Sequence, residues 1–278
     1  MTSTHEPGRS HTGPHEAGAA VVTGGARGIG RAIAEQLVLR GYAVVVSDLD
    51  ADAARRTAGE IGAAAGVAQD VRDEDSHREV AAEAARHGRL AVWVNNAGVG
   101  FDGPVAEQSS EHVRALVDVN LTGVIWGCRA AVRAMPRGGQ ILNVASLSAL
   151  GPVPGLSVYA ATKAAVVSLT TSLDSELRKR GIRVHAICPD GVDTDLVAGM
   201  DRAGQAAALV HSGGRLLTAE ETARAAVDLV GSGRVVRTVP VWRGGLMRLT
   251  SVAPSIMMRM EPLLRLEGRR RMRRSASR

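Results

Sequence analysis

The 278-residue sequence predicts a doubly wound α/β domain, one parallel sheet flanked by helices on both faces. Three observations predict it. Short β-prone runs are apolar throughout rather than alternating, which requires burial on both faces of a sheet. Those runs alternate strictly with stretches of helical periodicity, so the connections are right-handed crossovers that leave the strands parallel. Between residues 19 and 245 no Pro- or Ser-rich linker and no internal repeat divides the chain, so a single domain is expected, of a kind that can bind ligands along the carboxyl edge of its sheet.

In order, AAVV at 19–22 enters a glycine-rich turn, and helical periodicity follows over 31–40. AVVV at 43–46 leads to a helix over 51–61, GVA at 66–68 to one over 74–87, and LAVWV at 90–94 to a long one over 107–135. QILNV at 140–144 precedes a helix over 157–180, RVHAI at 183–187 precedes one over 219–231, and TVPVW at 238–242 is the seventh apolar run. Residues 1–18, rich in Gly, Pro, Ser, Thr and His without periodicity, read as a disordered leader. His5, His11 and His15 are too irregularly spaced there to predict a metal site. The remainder, 246–278, is an amphipathic C-terminal extension with an Arg-rich tail.

Composition bounds the function. With 45% hydrophobic and 22% charged residues the chain has ample material for a core. No stretch approaches the roughly 18 uninterrupted apolar residues of a spanning helix, and the N-terminus lacks a signal peptide's apolar centre, so a cytoplasmic protein is expected. Cys128 and Cys188 sit in apolar settings and suggest neither a disulfide framework nor a metal site. The net charge of +6 is confined to the tail: seven arginines and one acid lie between Arg265 and Arg278, and the remaining chain balances 27 bases against 27 acids. No specific nucleic-acid binding follows from such a distribution.

The first strand runs into Thr23, Gly24, Gly25, Ala26, Arg27, Gly28, Ile29 and Gly30, then a helix. Glycines let a backbone approach a pyrophosphate, and a helix N-terminus supplies free N–H groups and positive dipole. The second strand ends at Asp48, where a carboxylate accepts hydrogen bonds from adenosine ribose hydroxyls and repels a 2′-phosphate. Leu49 follows in place of a base, so NAD is expected over NADP. Arg27 keeps NADP open, because a base in the glycine turn can reach that phosphate. Asp70 and Val71 end the third strand at the same edge, placed for the adenine ring, with an N-cap role for Asp70 as the alternative. Asn96, Ala97 and Gly98 follow the fourth strand and suit close passage of backbone beside a ligand.

Tyr159 and Lys163 stand four apart in a helical stretch and so share one face. A nearby ammonium favours phenolate, which suits a general acid/base for an alcohol or carbonyl. Ser146 follows the fifth strand, and Asn120 lies in the long helix. As an ordered set, TGGARGIG, Asp48, Asp70, NNAG, Asn120, Ser146, Tyr159 and Lys163 resemble the short-chain dehydrogenase/reductase family over residues 19–245, in its subgroup of about 250-residue chains. The resemblance implies a Rossmann-type sheet and a NAD(P)-dependent oxidoreductase that interconverts a secondary alcohol and a ketone. Tyr159 would be the acid/base, and Ser146 would bond the substrate oxygen. Lys163 would hold the nicotinamide ribose and tune the tyrosine, with Asn120 positioning a water behind it. It also implies a homodimer or homotetramer built on the two long helices, whose Ala- and Gly-rich faces (122–135 and 161–173) permit close packing.

After the sixth strand the family's usual Pro-Gly-x-x-x-Thr reads Pro189, Asp190, Gly191, Val192, Asp193, Thr194. Asp190 replaces the glycine, while Pro189, Val192 and Thr194 stay where the family contacts the nicotinamide carboxamide. The lid segment at 196–217, with Val99, Gly100, Phe101, Leu147, Leu150 and Val153, is small and aliphatic, so a hydrophobic alcohol or ketone substrate is expected. His211 reads as an exposed lid residue before a substrate contact. The 246–278 segment is expected to pack over the pocket or a subunit neighbour in preference to lying on an anionic membrane, because Pro254 and Pro262 interrupt a continuous amphipathic face. The competing functional reading is a non-catalytic nucleotide-binding regulatory or scaffold protein that uses the basic tail to hold acidic partners.

Overall fold

A computed structural model of the protein describes residues 17–201, 203–252 and 254–276. The histidine-bearing leader up to residue 16 and the last two residues of the tail lie outside the described residues. Seven parallel strands form one sheet in the order β3-β2-β1-β4-β5-β6-β7. These are β1 (Ala19–Thr23), β2 (Ala43–Asp48), β3 (Ala65–Ala68), β4 (Leu90–Asn95), β5 (Gly139–Val144), β6 (Ile182–Pro189) and β7 (Val236–Val239). The connecting helices are α1 (Gly28–Leu39), α2 (Ala51–Ile61), α3 (Glu74–Arg86), α4 (Ser110–Val117), α5 (Gly123–Ala134), α6 (Ser157–Leu177), α7 (Asp195–Ala198), α8 (Gln205–His211) and α9 (Ala219–Val227). Two more, α10 (Val241–Val252) and α11 (Pro254–Ala276), follow the last strand.

The uniform hydrophobicity of the strands feeds two separate cores, because successive side chains leave a strand on opposite faces. Ala20, Val22, Val44, Val46, Val92 and Leu142 pack with α1, α2 and α9. Ala19, Val21, Val45, Trp93, Ile141 and Val184 pack with α3, α5 and α6. A polar chain threads the second core: the Trp93 indole donates to Asn95 Oδ1 (2.8 Å), Asn95 Nδ2 to Asn143 Oδ1 (2.8 Å), and Asn143 Nδ2 to Thr170 Oγ1 (2.9 Å). A side chain at Gly127 would overlap Asn95 Oδ1, and one at Gly123 would lie 3.0 Å from Val71. Within this chain, Gly127 thus allows close approach of α5 to β4, and Gly123 allows its approach to the segment after β3.

Element boundaries differ from expectation where local chemistry decides them. The seventh strand ends at Val239, and the expected run through Trp242 turns helical at Val241 instead, because Pro240 offers no N–H to extend the ladder. The long fourth helix begins after Ser109, whose hydroxyl accepts the N–H of His112 at 3.1 Å. One π turn at Asp118–Thr122 interrupts that helix. By length and composition the run Ser110–Ala134 would suffice to cross a membrane. Here Leu116, Val124, Cys128 and Ala131 are buried against the sheet and neighbouring helices. The C-terminal extension is helical, and Pro262 lies inside α11 without ending it, contrary to its expected role as a break. α11 packs on α8, where a side chain at Gly268 would overlap the Ala208 carbonyl.

Candidate active site

Strand order reverses between β1 and β4, and the crevice this leaves at their carboxyl ends opens into a cleft of about 860 Å³. The turn after β1 forms one end. Gly24 (φ +59°) and Gly28 (φ +54°) occupy the left-handed region that glycine tolerates. A side chain at Gly30 would overlap the Gly24 carbonyl and the Asn96 amide. The N-cap residue Arg27 makes no side-chain cap, and no acid lies in the first turn of α1, so the helix's leading N–H groups remain for an anion. Gly24, Arg27, Gly28, Ile29 and Gly30 all line the cleft. Thr23 stands behind that wall, with Oγ1 accepting the N–H groups of Asn96 and Ala97 at 3.1 Å each. It aligns the two loops instead of facing the cleft, as was expected of it. Asn96 returns Nδ2 bonds to the carbonyls of Thr23 (3.0 Å) and Gly24 (2.9 Å). Asn96, Ala97 and Gly98 line the cleft as expected.

Asp48 and Leu49 lie in the cleft wall at the end of β2. Asp48 Oδ2 accepts the N–H of Ala26 at 3.1 Å, tying the carboxylate to the glycine turn. Arg27 pairs with Asp195 at 2.9 Å and so bridges the turn to α7, through side chains 80% and 79% exposed. Asp70 and Val71 are in place as well. Hydrogen bonds from the Arg72 side chain, Nε at 2.9 and 3.0 Å and Nη2 at 2.5 Å, hold the Asp70 carboxyl below the usual carboxylate range. Asp73, not Asp70, caps α3, so the alternative weighed for Asp70 does not hold.

At the other end, Ser146 follows β5 and its Oγ accepts the N–H (3.2 Å) and hydroxyl (3.0 Å) of Ser148. Tyr159 and Lys163 project from the first two turns of α6 into the same cleft. Lys163 Nζ donates to the Val144 carbonyl at 2.9 Å and lies 5.7 Å from the Tyr159 ring centroid. Burial pushes the Tyr159 phenol up to about 12, against a hydrogen bond from Ser146, and pushes Lys163 down to about 8. At this 5.7 Å separation burial, and not the ammonium expected to draw the tyrosine toward working pH, sets the direction of the phenol's shift. Asn120 lies in the π turn behind the cleft. Its Nδ2 donates to the Val99 carbonyl and its Oδ1 accepts the Val99 N–H, both at 2.9 Å. A side chain at Gly98 would sit 3.1 Å from Asn120 Oδ1 and 3.6 Å from Lys163 Nζ.

Pro189, Val192 and Thr194 line the cleft between these two ends. A backbone bridge from Val192 to Leu217 fixes their segment. Asp190 finds a partner that sequence reasoning missed: Arg243 Nε of α10 lies 2.9 Å from its Oδ2. The substrate half is apolar, with Val99, Leu147, Val153, Leu196 and Leu209 joined by Met247 and Leu264 from the C-terminal helices. Phe101 and Leu150 do not line it, and Phe101 stacks on His112 with centroids 3.9 Å apart. His211 is half-buried outside the cleft, its Nδ1 bonded to the Ala207 carbonyl at 2.8 Å. Arg243, Met247 and Leu264 carry no motif; the chemistry expected after β7 was only a packed amphipathic helix.

Comparison with known proteins gives this arrangement its class. The chain belongs to the short chain dehydrogenase family, which it matches over residues 18–204. It is 42% identical over 187 residues to sorbitol dehydrogenase of Cereibacter sphaeroides, spanning 66% of this chain and 73% of that one. Against carbonyl reductase family member 4 of Xenopus tropicalis it is 33% identical over 228 residues, 81% and 96% of the two chains. A crystal structure of a short chain dehydrogenase/reductase from Burkholderia phymatum in complex with NAD superposes with a TM-score of 0.77 at 26% identity, covering 86% of this chain and 95% of that one. The chain is accordingly an oxidoreductase of this family, whose chemistry draws on a nicotinamide cofactor.

Proposed function

We propose that the protein interconverts a secondary alcohol and a ketone on a hydrophobic small molecule. The observation that carries this reading is the convergence of Ser146, Tyr159 and Lys163 at the apolar end of one cleft whose other end is the glycine turn. The turn suits a dinucleotide: Gly24, Gly25 and Gly30 leave no room for side chains, Gly28 holds a left-handed φ, and the leading N–H groups of α1 are uncapped. Gly24, Gly28, Ile29 and Gly30 would hold the pyrophosphate, Asp48 the adenosine ribose, and Pro189, Val192 and Thr194 the nicotinamide. Once bound, the nicotinamide would supply or accept the hydride.

The chain's own part is orientation and proton handling. Ser146 Oγ donates to the substrate oxygen and fixes it beside the Tyr159 hydroxyl. In reduction Tyr159 gives that oxygen its proton, and in oxidation it takes the proton back. Lys163, fixed by Val144, holds a donor beneath the phenol where the nicotinamide ribose would sit. The apolar wall excludes water from the carbonyl. NAD is the preferred cofactor in this reading, since Asp48 is locked beside Ala26 where a 2′-phosphate would meet it, and Arg27 is engaged by Asp195. A relative named sorbitol dehydrogenase and another named carbonyl reductase fit a CH–OH or carbonyl substrate.

A panel of hydrophobic secondary alcohols and ketones with NAD(H) and NADP(H) in parallel tests substrate class and cofactor together. Tyr159→Phe should lower kcat at least about a thousandfold while leaving the Kd for NADH within a few-fold. Retained turnover in that variant would refute the role given to Tyr159.

A further inference from the structure

Three segments meet in one wall of the cleft, just after β6. Asp190 follows β6, Ser212 and Gly213 follow α8, and Arg243 lies in the first turn of α10. The ion pair between Asp190 and Arg243 is 2.9 Å long, with side chains only 14% and 12% exposed. Arg243 Nη1 and Nη2 each reach Ser212 Oγ at 3.4 Å, and that hydroxyl donates to the Leu209 carbonyl at 2.7 Å. A side chain at Gly213 would overlap both Arg243 Nη1 and Asp190 Oδ2, so a glycine there makes room for the pair. Asp190, Ser212 and Arg243 all line the cleft, among Leu209, Met247 and Leu264. Among the described residues of the wall that α8, α10 and α11 contribute, Arg243 is the charged residue lining the cavity, and Asp190 neutralises it.

We propose that the Asp190–Arg243 pair is a specificity-determining part of the substrate cavity's wall, keeping it selective for molecules that carry no charge where they meet it. This rests on the alcohol/ketone reading of the cavity. The physical argument is one of matching. Inside an apolar pocket a closed ion pair presents no net charge, so an uncharged chain can lie against it without losing solvation. A substrate carboxylate would have to compete with Asp190 for the guanidinium and would suffer that carboxylate's repulsion at short range. Burial already works against the charged form of Asp190, and Arg243 opposes this. Removing the Asp190 charge while keeping its shape leaves Arg243 as a buried cation in need of an anion. The cavity should then accept the ligands that it formerly refused.

Equilibrium binding of octanoate and of octan-2-one to the full-length protein with saturating NAD, followed by calorimetry, tests this without requiring turnover. Wild type should prefer octan-2-one. Asp190→Asn should shift the affinity ratio toward octanoate by about tenfold or more, while Arg243→Met should show no such gain. The double variant should return toward the wild-type preference, which a merely structural role for the pair would not produce. Asp190→Gly removes the same charge and serves if the isostere fails to fold. A ratio within about twofold of wild type in the Asp190 variants, or failure of the protein to bind either ligand, would overturn the proposal. NADH-dependent turnover of octan-2-one by wild type is measured separately. Its absence would count against the alcohol/ketone reading alone, since binding selectivity does not depend on it.

Discussion

Lys163 is the residue at which burial and charge conflict most directly. Its ammonium is buried, and the bond that holds it comes from a neutral carbonyl, that of Val144. Because burial puts its folded pKa at about 8, below the ordinary lysine value of 10.5, the unfolded chain binds the extra proton first. The resulting penalty is fully present below pH 8 and is relieved as pH rises toward 10.5, by roughly 3 kcal/mol at most. Cys128, Cys188 and Tyr159 act oppositely. Burial pushes each up to about 12 from 9.0, 9.0 and 10.0, so each withdraws stability above its unfolded value. Urea unfolding of wild type and Lys163→Met between about pH 7 and 10 separates the terms: wild type should gain on the variant as pH rises. Parallel profiles would show that Lys163 is not held in this way. The sequence exposed the Tyr159 and Lys163 positions through their spacing on one helix face. It concealed their protonation, which depends on how completely β5, α6 and the 189–194 segment shut out water.

The helix that carries those two residues is anchored at its other end. Asp174 of α6 is buried, and it accepts bonds from Arg183 Nε (2.8 Å), the Val184 N–H (3.1 Å) and Arg178 Nη2 (2.6 Å). Burial alone would raise its pKa, yet the Arg183 hydrogen bond, the Val184 amide and the two arginine charges together hold it below 3.8. A depressed carboxylate stabilises the fold above its unfolded pKa and loses that contribution as pH falls through the folded one. Asp174→Asn should therefore cost about 3 kcal/mol at neutral pH, read as a lower urea midpoint, with the deficit shrinking below about pH 4. A neutral-pH loss under about 0.5 kcal/mol would mean that α6 is not tied to β6 through this carboxylate. Element by element, the sequence shows helices and strands best where periodicity runs long, as in α6. It fails at β7 and α10. There Val236–Val239 pairs with β6, and after Pro240 a helix starts at Val241 in a stretch whose residues look β-prone. Pairing partners and a single missing N–H decide that boundary, and neither appears in a hydrophobicity pattern.

Across the whole molecule, the nucleotide half was legible because its residues sit at the carboxyl ends of strands, and strand ends are marked by a change from apolar to polar sequence. The substrate half was legible only in part, since Arg243, Met247 and Leu264 reach it through packing of segments distant in sequence. The C-terminal extension, which the sequence predicts to pack over the pocket or a subunit neighbour, is part of the cavity: Leu264 faces the cleft, and one turn later Gly268 lies against α8. α8 in turn contributes Leu209 to the same wall, so its seat depends on α11 lying close. Gly268→Val places branched carbon where the Ala208 carbonyl already sits and should push the two helices apart. The sheet and the glycine turn are remote from this contact, so the Kd for NADH should stay within about twofold. The KM for a hydrophobic ketone should rise about five- to tenfold as the apolar wall opens to water, at a cost of about 1–3 kcal/mol in stability. An unchanged KM together with an unchanged Tm would show that α11 does not roof the cavity in solution, and would return the extension to the solvated tail that its charge suggests.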